Sequence, residues 1–86
     1  MTDQPTNGVD PALYMKRHPG VVALCYFFDY GHLPHDLQLI AMPFASLVEH
    51  VLRGNPDDSA ELTVALRKIL EGKDCAVRAA LDRRGG

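Results

Sequence analysis

Eighty-six residues without an internal repeat hold at most one domain, and a chain of this size buries only roughly 60 % of the surface its unfolded form exposes, so it needs further support to be stable. A net charge of −2 disfavours non-specific coating of a polyanion. The longest apolar run, Val21 to Phe28, is far short of a membrane span, and Met1-Thr2-Asp3-Gln4-Pro5 lacks the basic and apolar regions of a secretory signal, which predicts a cytoplasmic protein with no membrane contact.

Residues 1–9 are polar and contain proline and glycine, which predicts a disordered tail. Asp10-Pro11 pairs a capping side chain with a proline at the first helical position, predicting a short helix through Arg17 that stops before His18-Pro19-Gly20. Val21 to Tyr30 is ambiguous by period alone. Val21, Leu24, Cys25 and Phe28 fit a helical face, the valines and aromatics also suit a strand, and helix is favoured because no partner strand is visible. Gly31 permits a reversal after it.

A long helix is predicted from Pro34 to Arg53, with Leu37, Ile40, Ala41, Phe44, Val48 and Leu52 on its apolar face and a kink at Pro43. Gly54-Asn55-Pro56-Asp57 turns the chain. A second long helix spans about 59–82, capped by Asp58 with Glu61 as its capping-box partner, and its stripe runs through Leu62, Leu66, Ile69, Leu70, Val77 and Ala80. Arg67 with Glu71 and Asp74 with Arg78 have the spacing of exposed helical ion pairs. The predicted fold is all-α: an antiparallel helical hairpin (34–53 and 59–82) with one or two short N-terminal helices, a single domain over 10–82, and a flexible tail at 83–86.

One hairpin seam does not use all the apolar surface. Leu39, Met42, Leu70, Leu81 and the Val21–Phe28 segment still need partners, so a homo-oligomer is expected. Lys73 falls on the buried stripe, where it either snorkels to the surface or points into a polar site between subunits. Cys25 and Cys75 lie in apolar helical patterns without metal or redox spacing, which predicts buried free thiols in a reducing compartment.

Phe28-Asp29-Tyr30-Gly31-His32-Leu33-Pro34 ahead of a helix, then a short Pro/Asp turn and Glu61-x-Thr63-x-Ala65-x-x-Lys68-x-x-Glu71, resembles the helical-hairpin domain of phage cyclic-oligonucleotide sponges. These are the anti-CBASS proteins and the related hairpin of anti-Thoeris proteins, and the resemblance covers roughly residues 27–80. It implies a non-catalytic protein that binds and hides the cyclic di- or trinucleotide signals of bacterial antiphage defence. It further implies a homo-oligomer, often a hexamer, with ligand pockets between protomers in the host cytosol. Such a pocket needs aromatic faces for bases and cations or N–H groups for phosphates. Tyr26 and Tyr30 are candidates to stack on bases, and His32 to donate to a phosphate. Thr63 offers a hydroxyl near a helix start, and Arg67 and Lys73 supply cations. The chain departs from the family at Ala60, where an Arg is frequent, near Cys75, where a Trp is frequent, and at Ala41, Phe44 and Ala45, where basic residues are frequent. Those departures bear on the family's trinucleotide and lysine contacts, with Arg67 or Lys73 as the available substitutes.

No Ser/His/Asp or Cys/His arrangement, phosphate-binding glycine loop or paired carboxylate points to an enzyme. His32, His35, Glu49 and His50 match no zinc or di-iron spacing, so neither a metal nor a cofactor is expected. The alternative to a sponge is a small oligomeric adaptor binding another protein through exposed apolar helix faces. A DNA-binding regulator ranks below it, because the turn suits a hairpin better than crossed helices and acids interrupt Arg67, Lys68 and Arg78.

Overall fold

Local capping and one long-range ion pair set where the first turn and two of the three helices begin, and the remaining helix starts after Pro34 without a side-chain cap. The computed structural model describes residues 7–85, which contain a short 3-10 turn at Pro11–Leu13 and three α-helices: α1 (Pro19–Tyr26), α2 (His35–Gly54) and α3 (Ala60–Gly85). The described residues are all-helical, with no strand, and none of their helices is long and apolar enough to cross a membrane.

Asp10 caps the 3-10 turn through Oδ1, which accepts the Ala12 N–H at 3.0 Å, but the predicted helix to Arg17 stops after one turn. Arg17 is held elsewhere. Its Nη1 donates to the Asn55 carbonyl at 2.8 Å and to Asp58 Oδ1 at 2.7 Å, and its Nη2 donates to the Leu52 carbonyl at 2.8 Å. Meeting those acceptors takes the chain out of a helical path. Pro19, predicted to lie beyond a helix end, instead starts α1. Its missing N–H is harmless at the first helical position, and His18 Nδ1 accepts the Gly20 N–H at 2.9 Å. The helix expected to reach Tyr30 ends at Tyr26, and beyond it Asp29 Oδ1 accepts the Gly31 N–H at 3.0 Å in a local turn.

α2 follows Pro34 and continues through Pro43 to Gly54. The cap of α3 is Ser59, whose Oγ accepts the Leu62 N–H at 3.1 Å, and not Asp58. Asp58 is committed to Arg17 and, through Oδ2, to the His18 N–H at 2.7 Å. At its far end α3 passes through the predicted flexible tail as helix to Gly85, and Arg84 Nε meets Asp36 Oδ2 at 3.2 Å. The end of α3 therefore lies beside the start of α2, and further in a Cβ on Gly72 would stand 3.6 Å from the Phe44 ring.

α3 packs most extensively on α2 and also on α1. Phe28, Leu52, Leu66, Val21 and Val48 are the largest fully buried side chains, each worth about 1.5–3 kcal/mol of transfer free energy. The disordered tail predicted for residues 1–9 does not hold at residues 7–9, and residues 1–6 lie outside the described residues. Val9 is buried in the core, the Asn7 carbonyl accepts the Tyr30 N–H at 2.7 Å, and the Asp10 N–H donates to Glu49 Oε2 at 2.8 Å.

The thiols also differ from expectation. Cys25 is buried, whereas Cys75 is exposed because it sits on the opposite side of α3 from Leu62, Leu66 and Ala80; both are free. Burial pushes the Cys25 thiol up to about 11, against a minor lowering by Arg17. One equivalent of a disulfide reagent should therefore react rapidly with the native protein near pH 8, and two with the protein in denaturant. Rapid reaction of both thiols in the native state would contradict this packing.

The Arg17 hydrogen bond, followed by the His18 N–H, holds the Asp58 carboxyl below its ordinary range. The unfolded chain takes up the proton first as pH falls, so this stabilisation is full above the ordinary carboxylate range and is lost as pH drops through the lower folded value. Asp58→Asn should flatten the acid limb of the stability profile below about pH 4. Arg17→Ala, which also removes the bonds to the Leu52 and Asn55 carbonyls, should lower stability in urea by about 2 kcal/mol at neutral pH.

Candidate functional clefts around Asp29

The segment between α1 and α2 is fixed from outside. Besides the Asn7 to Tyr30 hydrogen bond, the Gly8 backbone runs so close to the segment that a Cβ there would stand 3.0 Å from Asp29 Cα and 3.2 Å from the Phe28 carbonyl oxygen. The Asn7 side chain lies against Gly31 in the same way. The fixed segment presents Asp29 between two clefts.

On one side, an open cleft of about 460 Å³ is walled by Tyr14, Tyr26 and Cys25 and bordered by Gly8 and Asp29. Tyr26 meets Tyr14 edge to face, with ring centroids 5.8 Å apart at 85°, and is itself 56 % exposed, so part of its ring is open to a ligand. Burial, and then the neighbouring Tyr26 and Cys25 groups ahead of Asp29 and Asp10, raises the Tyr14 phenol above its ordinary value. That phenol stays neutral through the physiological range.

On the other side of Asp29, a cleft of about 210 Å³ opens between the same segment and α3, lined by His32, Lys73, Asp74, Val77 and Arg78. The Lys73 side chain, predicted either to snorkel or to enter a polar site, is largely covered and pairs with Asp74 at 3.0 Å. The predicted Asp74–Arg78 pair is absent. Arg78 Nη2 instead lies 3.3 Å from Cys75 Sγ, and Arg78 makes no ion pair among the described residues. The cleft sets two cations against two carboxylates, Asp29 and Asp74; Lys73 is paired with Asp74, so Arg78 is the cation left to meet an anion, with His32 exposed beside it.

A third cleft of about 170 Å³ lies at the start of α3, walled by His18, Asp58, Ser59 and Thr63. Thr63 Oγ1 donates to the Ala60 carbonyl at 2.7 Å, and Asp58 places a carboxylate at the same spot. An anion meets a like charge there, and no Lys or Arg lines this cleft.

The six residues proposed from sequence are thus dispersed. His32 and Lys73 share one cleft, Tyr26 lines the neighbouring one, and Thr63 lies in the third, at the start of α3. Tyr30 is half-buried against the core, and Arg67 is exposed on α3 and lines none of these three clefts. Asp29, Tyr14 and Arg78 were not singled out as site residues. Asp29-x-Gly31 is a visible turn signature, but the role of Arg78 is hidden by its helical spacing from Asp74. Among the described residues no group of three His, Cys, Asp or Glu side chains could hold a metal ion.

No protein-family model, curated protein or solved structure matches this chain.

Gly8→Ala tests how the segment is held. Because the new methyl meets backbone rather than a flexible side chain, it should cost about 1–3 kcal/mol in denaturant unfolding. It should also shift the amide resonances of residues 28–31. An unchanged stability would mean that the N-terminal residues do not press on Asp29.

Proposed function

We propose that this protein binds and sequesters a cyclic di- or trinucleotide without chemically altering it, as its resemblance to the phage sponge family implies. The observation that supports the reading is the juxtaposition at Asp29 of a tyrosine-walled cleft with one that holds Lys73, Arg78 and His32. A nucleotide needs both an aromatic surface for its base and cations for its phosphate. Sequestration consists of tight binding alone: no bond in the ligand breaks, and it leaves the protein intact.

In this reading α2 and α3 form an antiparallel helical hairpin, consistent with Asp36 meeting Arg84 and Phe44 facing Gly72. Copies of the chain assemble into a homo-oligomer. Leu39, Met42 and Leu47 are exposed on α2 and provide apolar surface for that assembly. At about 210 Å³ the cationic cleft is smaller than the roughly 300–1,000 Å³ of sites that enclose a small ligand. A neighbouring protomer would complete the enclosure. The exposed α2 face equally suits a protein-binding adaptor, the second reading.

The test is thermal denaturation of the purified protein against a panel of cyclic di- and trinucleotides, followed by heat release and chromatography of any ligand that stabilises it. Ligand at one hundred times its dissociation constant should add about 2.7 kcal/mol to the native state. It should be recovered unchanged. Lys73→Met and Arg78→Met should each weaken binding at least tenfold while leaving the oligomer intact. No stabilisation by any member of the panel would overturn the sponge reading in favour of the adaptor.

A further inference from the structure

Asp29 is the acceptor group of the tyrosine cleft, and the use of its two oxygens decides what it can bind. Oδ1 is engaged by the Gly31 N–H at 3.0 Å, whereas Oδ2 has no hydrogen-bond partner among the described residues. The hydrogen bond to Gly31 fixes the carboxylate as well as the turn, so a ligand meets it already oriented. No Lys, Arg or His lines this cleft, in contrast to its neighbour across Asp29. With the Asp29 carboxylate on its wall and no cation to offset it, the cleft disfavours a phosphate and favours N–H donors.

We infer that the tyrosine cleft is a base-reading site selective for guanine, with Asp29 accepting the N–H groups of the guanine Watson–Crick edge and the open face of Tyr26 carrying the ring. The inference rests on the nucleotide reading above and names the base that reading leaves open. Guanine is distinguished by its donor pattern. N1–H and N2–H₂ are adjacent donors and meet one carboxylate together, one on the free Oδ2 and the other on the second lone pair of Oδ1 beside the Gly31 N–H, giving charge-assisted bonds. Adenine and cytosine each place a ring-nitrogen acceptor beside their amino group, and uracil places carbonyls on both sides of its single N–H. Each of these brings a lone pair against the carboxylate.

The two clefts divide the ligand between them. At about 460 Å³ the tyrosine cleft has room for a purine, and the phosphate passes across Asp29 toward Lys73 and Arg78. A free guanidinium compound satisfies the carboxylate but has no use for the cations next door. A guanine nucleotide uses both. Discrimination follows because the wrong base covers Asp29 Oδ2 without supplying it a donor.

The experiment is isothermal titration of the full-length protein with cyclic diguanylate and with cyclic diadenylate, repeated on Asp29→Asn and Tyr26→Ala. The wild type should bind the guanine ligand at least tenfold more tightly. Asp29→Asn should abolish that preference, and its unliganded melting temperature should stay close to wild type because the amide oxygen can still accept the Gly31 N–H. Tyr26→Ala, which truncates a largely exposed ring, should weaken both ligands and keep their order. Equal affinities in the wild type, or a guanine preference that survives Asp29→Asn, would overturn the base assignment alone. Binding of neither ligand by the wild type would overturn the base assignment, and the proposed function falls with it only if the whole panel of cyclic di- and trinucleotides also fails to bind.

Discussion

Arg17 is the residue on which the arrangement of the three helices depends. Its guanidinium joins the end of α2, through the carbonyls of Leu52 and Asn55, to the turn before α3, through Asp58, while its own backbone leads into α1. Helix C-termini leave carbonyls unpaired, and a turn between two long helices concentrates them in one place. A planar cation with several donors is the side chain best suited to satisfy them together. Asp58 completes the arrangement by accepting from both Arg17 and the His18 amide, so α1 starts at a fixed distance from the start of α3. With that node in place, the apolar faces of α1, α2 and α3 close over Phe28, Leu52 and Leu66.

The clefts follow from the same geometry. α1 ends at Tyr26 and α2 starts at His35, and the segment between them, around Asp29, borders α3. That segment has no helix of its own to hold it. It is held by residues 7–9, through the Asn7 carbonyl, the close backbone of Gly8 and the buried Val9. A carboxylate on a segment fixed in this way is a better recognition element than one on a free loop, since less ordering is required on binding. Asp29 also belongs to both clefts, so an aromatic wall and a cationic wall meet at one residue.

The helices were legible in the sequence because their apolar residues recur with helical spacing over many turns, and α2 and α3 differ from their predicted spans mainly at the ends. The shorter elements were decided by partners far along the chain. Asp58 and Ser59 are adjacent capping residues, and local chemistry alone does not choose between them. Arg17 chooses by recruiting Asp58. The same long-range demand cuts the first predicted helix to a single turn and makes Pro19 a start instead of a stop. For Cys75 the phase of α3 carried the answer, since the residue lies off the stripe that contains Leu62, Leu66 and Ala80. The candidate site was legible only in parts. His32 and Lys73 come together as residue types suited to an anion, but Asp74 turns to Lys73 and leaves Arg78 open, an outcome that four-residue spacing does not foretell. Thr63 spends its hydroxyl on the Ala60 carbonyl, and Tyr30 gives its ring to the core.

The central claim is that one ligand lies across Asp29 with its base against Tyr26 and its phosphate toward α3. Amide-resolved NMR titration of the labelled protein with cyclic diguanylate tests it most directly. The account predicts that the largest shift changes fall on residues 26–33 and 73–78 together, saturating with a single affinity. Changes confined to the outer face of α2, or absent throughout, would contradict it.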